Sequence, residues 1–278
     1  VVGVTFAGSR VIAMMVDVTR HQPIVLVSPA MGIGSRYYQS LVAAFEARGW
    51  AATALTRRGF ELGAPQASRG QDWSYEDEID DMAVAVAAAR SEVPGRPVIL
   101  LGHSLGAQIA AGHQLNRVPA DGVVTVGGAL PYHRDYPWGG LPILLMGSVI
   151  VPVLTGVFGY LPAPAFGGPG ARTLMREWGR MAVTGRTPFP AEGSITSPSL
   201  LISLEGDRLA PESAVHAFGE RLFAPESVTN WLYRHADVPE GASNHHIYWA
   251  RSSAPVVDRI VGWWAAKAAV TPAGEAAQ

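Results

Sequence analysis

A chain of 278 residues that is 48% hydrophobic and only 16% charged can bury a large core, which excludes intrinsic disorder as its main theme. Its 21 Lys+Arg against 23 Asp+Glu leave a net charge of −2, so there is no electrostatic footprint for nucleic acid, and the pair Arg57-Arg58 reads as a solvated loop. The absence of cysteine rules out a disulfide framework, a Cys-ligated zinc site and a thiolate nucleophile.

Residues 1–6 and 11–18 read as a hairpin turning at Ala7-Gly8-Ser9-Arg10. No basic segment leads into a continuous apolar stretch there, so the opening reads as a first strand and not a signal peptide, and a cytoplasmic location is expected. Ile24-Val25-Leu26-Val27 has the unbroken apolarity of a strand covered on both faces. A helix is expected from Arg36 to Arg48, stopped by Gly49, then a strand from Trp50 to Leu55. Tyr75 to Arg90 reads as a helix, with Glu76, Asp77 and Glu78 in its first turn and Arg90 near its end, as the helix dipole favours. Val98–Leu101 is a strand, Ser104–Asn116 a helix and Val123–Val126 a strand. After an interruption the rhythm resumes with a strand at Leu200–Leu204 and a helix from Pro211 to Leu222. A strand at Val228–Tyr233 and a helix from Ser252 to Ala269 complete it.

This alternation predicts an α/β fold: a mostly parallel sheet of about eight strands with helices on both faces. The core domain is expected at 1–129 and 198–270, with a frayed tail at 271–278. Between them, 130–197 reads as an inserted segment rich in Pro, Gly and large apolar residues. Within it, 141–161 carries no charge and is long enough to cross a bilayer. Pro142, Gly147, Pro152, Gly156 and Gly159 should break it into short helices covering an apolar pocket. Membrane contact is therefore expected nowhere except through this segment.

The chemistry concentrates at Gly102-His103-Ser104-Leu105-Gly106, between the strand at 98–101 and the helix that follows. A serine flanked by glycines at a strand-to-helix turn has the form of a nucleophile elbow, where small neighbours let helix and strand meet and backbone N–H groups face a developing oxyanion. A serine needs a base, and the histidines after the last expected strand are His235, His245 and His246. Adjacent His245 and His246 do not suit a metal, since neighbouring side chains in extended chain point opposite ways.

These motifs resemble the α/β-hydrolase superfamily over nearly the whole chain. The run Ile24-Val25-Leu26-Val27-Ser28-Pro29-Ala30-Met31-Gly32 is similar to that fold's third strand and oxyanion loop, and Thr56-Arg57-Arg58-Gly59-Phe60 to its Arg-Gly turn. Pro29-Ala30-Met31-Gly32 and His246-Ile247-Tyr248-Trp249 look more narrowly like a bacterial branch of predicted hydrolases. The resemblance implies the order Ser, acid, His: Ser104 as nucleophile, Asp207 as orienting acid and His246 as base. His245 is the alternative base and Glu205, in Glu205-Gly206-Asp207, the alternative acid. It implies an oxyanion hole from the N–H groups of Leu105 and Met31, with Ala30 as the alternative; Pro29 has no N–H to give. The insert at 130–197 sits where the family carries its lid. The expected activity is that of a serine hydrolase acting on an ester or thioester of a small apolar acyl substrate, with no metal and no cofactor. Acyl transfer, carbon–carbon cleavage or lactone closure could use the same triad, and a ligand-binding protein without turnover could use the same fold.

Overall fold

Every central strand is apolar at consecutive positions because both of its faces are covered, as the alternation along β1 and β3 shows. The computed structural model describes residues 22–164 and 166–270; the expected hairpin at 1–18 and the tail at 271–278 lie outside the described residues. Among the described residues six strands, against the eight or so expected, form one sheet: β1 Ile24–Ser28, β2 Ala51–Ala54, β3 Val98–His103, β4 Gly122–Val126, β5 Ser199–Leu204 and β6 Val228–Tyr233. Their order is β2-β1-β3-β4-β5-β6 and all five pairings are parallel. Parallel neighbours need a crossover connection, so helices α1 Gln39–Glu46, α2 Tyr75–Glu92, α3 Leu105–Asn116, α6 Glu212–Leu222 and α7 Ala254–Val270 cover the sheet.

Two cores result, one on each face. Val25, Val27, Ile99, Leu101, Val124 and Val126 point to the side of α1 and α7, where they meet Leu41, Phe45, Val257 and Ile260. The intervening Leu26, Leu100 and Val123 point to the side of α2, α3 and α6, against Ile79, Ile109 and Phe218. Burying each such side chain contributes roughly 1.5–3 kcal/mol. The segment expected as one helix from Arg36 divides into a 3-10 turn, Ser35–Tyr38, and α1. That division aims the Tyr38 ring into the core, where it is fully buried.

The connection from β4 to β5 contains the insert, and here the structure corrects the expectation of broken helices. Leu141–Leu145, the π-turn Met146–Ile150 and Val151–Phe158 run on as one helix, α4, with Gly159 in the left-handed region at its C-cap. Pro142 lies in the first turn, where a missing N–H costs nothing, and the π-turn directly ahead of Pro152 absorbs the second proline. The next helix, α5 Arg172–Thr184, crosses α4 where Gly147 meets Gly179; a Cβ on Gly147 would lie 2.6 Å from the Gly179 carbonyl oxygen. The N-terminus of α5 is fastened to the core by Asp72. Its carboxylate accepts from the Thr173 N–H (2.9 Å) and hydroxyl (2.7 Å) and from Arg172 (3.2 Å). Burial alone would raise the Asp72 pKa, but these bonds outweigh it and lower it.

Helix α2 begins with a capping box. The Ser74 hydroxyl accepts from the Asp77 N–H (3.2 Å) while the Asp77 carboxylate accepts from the Ser74 N–H (2.8 Å). Ser74→Ala should cost about 1 kcal/mol and lower the melting temperature by about 2–4 °C. An unchanged thermal unfolding curve would show that the cap contributes nothing to this fold.

Candidate active site

Ser104 sits between β3 and α3 with φ +54° and ψ −115°, a backbone conformation a serine adopts only under constraint. The turn is held by the Ser104 N–H donating to the Val126 carbonyl (3.1 Å) and the Ala107 N–H donating to the Ser104 carbonyl (2.9 Å). It is possible only with glycine at 106, where a Cβ would lie 2.1 Å from the Ser28 carbonyl oxygen. Leu105 is the first residue of α3, so its N–H has no partner within the helix and faces outward from the positive end of the dipole.

The structure brings Asp207 and His246 together. Asp207 follows β5 and His246 follows β6, and the carboxylate Oδ2 lies 2.6 Å from His246 Nδ1. The second oxygen, Oδ1, accepts from the N–H groups of Leu209 (2.8 Å) and Ala210 (3.2 Å). Burial would raise the carboxyl pKa; the hydrogen bond and charge of His246, helped by the two N–H groups, overcome this and lower it. A carboxylate on Nδ1 fixes the tautomer and leaves Nε2 as the basic nitrogen.

The alternative residues point elsewhere. His245 is exposed and stacks on Tyr248, with ring centroids 4.7 Å apart. Glu205 Oε2 accepts the N–H of His235 (2.6 Å), and the His235 ring contacts Asn244. Neither histidine pairs with Asp207 among the described residues. The Ala30 N–H is already donated to the Tyr38 hydroxyl oxygen (2.8 Å), whereas among the described residues the Met31 N–H has no hydrogen-bond partner.

The bond from Ala30 is the first link of a chain that the sequence reading missed. The Tyr38 hydroxyl lies 2.7 Å from His103 Nδ1, and His103 Nε2 lies 2.7 Å from the backbone carbonyl of His246. A carbonyl only accepts, so the His103 proton is on Nε2 and Nδ1 receives the Tyr38 proton. The Trp249 indole N–H, 3.3 Å from the same Nε2, is therefore a packing contact. One line of hydrogen bonds thus runs from the loop after β1, through the residue before Ser104, to the backbone of His246. Desolvation pulls the fully buried His103 down to a pKa of about 3, with the neighbouring His246 adding to the effect, so the imidazole stays neutral.

Arg57 corrects a second expectation. Only 3% exposed, it is paired with the buried Glu78 and donates to the Pro29 carbonyl, while Glu78 also accepts from the Trp73 indole N–H (3.1 Å). Burial lowers the Arg57 pKa to about 10, which leaves it charged at neutral pH. Arg58, its neighbour, is the surface arginine and pairs with Asp81. The loop after β1 is thus gripped from two sides, at Pro29 by Arg57 and at Ala30 by Tyr38. Beside it lies a narrow crevice lined by Met31, Leu105, Phe60, Trp73, Phe166 and Met175. The insert closes directly over this loop, since a Cβ on Gly32 would overlap the Phe166 carbonyl oxygen at 1.9 Å.

Residues 19–161, half of the chain, match the family model described as serine aminopeptidase, S33. The chain belongs to this family of the α/β-hydrolase superfamily. The match takes in the Ser104 elbow and ends before Asp207 and His246. No curated protein matches the chain in sequence. Among solved structures it is similar to a lipase-esterase related protein from Clostridium acetobutylicum, at 13% identity and a TM-score of 0.57 over 88% of this chain and 96% of that one. The monoacylglycerol lipase of Paleococcus ferrophilus gives 18%, 0.56, 87% and 96%. BpoC, a non-heme bromoperoxidase-type protein of Mycobacterium tuberculosis, gives 14%, 0.58, 88% and 92%. At these identities the likeness is one of fold, and the family supports hydrolase-type chemistry.

His103 gives this α/β-hydrolase a pH dependence of known sign. The unfolded chain binds a proton at this position below about pH 6.5, the folded chain only near pH 3. Stability from this residue is therefore complete above pH 6.5 and falls as pH drops toward 3. Between pH 6.5 and 5 the wild type should lose on the order of 2 kcal/mol that a His103→Gln variant does not. Urea unfolding at both pH values measures the difference; parallel losses in the two proteins would contradict a neutral, desolvated His103.

Proposed function

We propose that the protein is a serine hydrolase that cleaves an ester or thioester of a small apolar acyl substrate through an acyl-enzyme. The observation that carries the reading is the 2.6 Å Asp207–His246 contact, formed at the ends of β5 and β6, while β3, one strand removed from β5, presents a serine on a strained elbow at the same end of the sheet. Asp207 orients His246, whose Nε2 takes the Ser104 proton as Oγ attacks the acyl carbon. The resulting oxyanion receives hydrogen bonds from the Leu105 and Met31 N–H groups. Collapse breaks the bond to the leaving oxygen or sulfur, which receives the proton from His246. Water, deprotonated by the same histidine, then attacks the acyl-enzyme and releases acid and Ser104. The insert at 130–197 serves as the lid over this site.

The family's description names peptide substrates, but the crevice favours an ester. An aminopeptidase must hold a free ammonium group. Among the described residues lining the crevice the one carboxylate is Glu78, already paired with Arg57 and Trp73. The remaining lining is largely apolar and suits an acyl chain.

A fluorophosphonate probe should form an adduct on Ser104, located by peptide mass spectrometry, and Ser104→Ala should abolish both the adduct and the hydrolysis of short acyl esters. His246→Ala should lower kcat by at least about a thousandfold, against less than about threefold for His245→Ala. An adduct on another residue, or equal effects of the two histidine changes, would refute the assignment.

A further inference from the structure

Helix α4 presents an outer face that no part of the described chain covers. Leu141, Leu145, Val149, Val153 and Val157, at four-residue spacing along one side, are each between 47% and 68% exposed. The run 137–158 is long and apolar enough to cross a bilayer, yet only 17% of its most apolar window is buried. Its hydroxyls are turned back onto the helix: Ser148 donates to the Leu144 carbonyl (2.6 Å) and Thr155 to the Val151 carbonyl (2.7 Å). At the N-terminal end Trp138 stands 98% exposed with φ +60°, a strained aromatic with almost no protein contact.

Charge is arranged beside this face and not on it. The insert carries five arginines against three acidic residues, in a chain whose net charge is −2. Arg172, Arg176 and Arg180 form an exposed row along α5, the helix packed on α4. Arg69 donates to the Val157 carbonyl at the C-terminal end (2.6 Å), and Arg176 to Thr155 (3.0 Å). Two of the acids are turned away, Asp135 to Arg221 (2.7 Å) and Glu177 to the Tyr75 N–H (2.8 Å). An apolar helix face, an exposed tryptophan at one end and a flanking row of cations form the signature of a helix lying in a membrane interface.

We propose that the outer face of α4 docks in plane on a lipid bilayer that carries anionic headgroups. Spanning is opposed by the Gly147–Gly179 crossing and by the contacts of Ile143, Met146 and Leu154 with the same core that takes in Met31 and Phe166. These hold α4 on the protein, and they place the crevice beside the lipid surface. This inference does not depend on the triad.

The test is flotation of the full chain with unilamellar vesicles of phosphatidylcholine alone and of phosphatidylcholine with 30% phosphatidylglycerol (about a third anionic lipid, chosen to engage the arginine row). Binding to the anionic vesicles should exceed binding to the neutral ones at least tenfold and be released by 0.5 M salt (roughly a threefold shorter screening length than in dilute buffer). Leu145→Glu with Val149→Glu and Val153→Glu should abolish binding while leaving the melting curve and the hydrolysis of a soluble short-chain ester unchanged. Trp138→Gln, at a site with no packing to lose, should weaken binding several-fold even if the triple variant does not fold. Ser104→Ala should bind as the wild type does, which separates this result from any failure of the hydrolase reading. Absence of wild-type binding to either vesicle overturns the proposal, as does undiminished binding of Trp138→Gln and the triple variant. Release by detergent alone, or a dimer that the triple change dissociates, would assign the face to a membrane span or to a second copy instead.

Discussion

A serine held at φ +54° is a conformation the chain would leave if the surrounding backbone allowed it. It is kept there because β3 is bonded into a parallel sheet on both sides and α3 begins immediately after the turn, so the two backbones nearly touch. The contact of Gly106 with Ser28 joins this turn to the end of β1, where the loop carrying Pro29, Ala30 and Met31 starts. The strained residue is thus held by the sheet on one side and by α3 on the other. The loops after β1, β3, β5 and β6 then converge at one end of the sheet, because parallel strands all finish on the same side.

The polar groups around that turn divide by charge state. Asp207 is kept ionised by hydrogen bonds that outweigh its burial, and His103 is kept neutral by burial that outweighs the opposing pull of the His246 carbonyl and the Asp207 charge. A charged imidazole at 103 could not accept from Tyr38, so its neutrality sets the direction of the bond from the Tyr38 hydroxyl in the line from Ala30 to the His246 carbonyl. The Arg57–Glu78 pair belongs with this network and not with the surface ion pairs. Removing one partner would strand a buried charge, a loss of about 3–5 kcal/mol.

Much of this was legible in the residues themselves. The apolar runs located all six described strands, and the elbow was evident from Gly-x-Ser-x-Gly lying between a strand and a helix. The preference for His246 over His245 rested on resemblance, because adjacent residues in extended chain cannot be told apart by composition. What stayed hidden depends on contacts distant in sequence. Tyr38 lay within an expected helix and gave no sign of its bond to His103, 65 positions away. Arg57 looked solvated because its partners, Pro29 and Glu78, are 28 and 21 positions distant. The prolines of α4 signalled a broken helix by local rules, and a single π-turn set the rules aside.

The fastening of α5 also bears on how the insert meets the site. With Asp72 clamping one end of α5, and Gly147 and Gly179 leaving no gap at the crossing, α4 and α5 are packed as one unit. Phe166 lies in the connection between them and rests on Gly32, which ties this pair of helices to the loop after β1. The apolar outer edge of α4 and the loop beside Ser104 are therefore parts of one packed body, joined through α5 and the Phe166 connection.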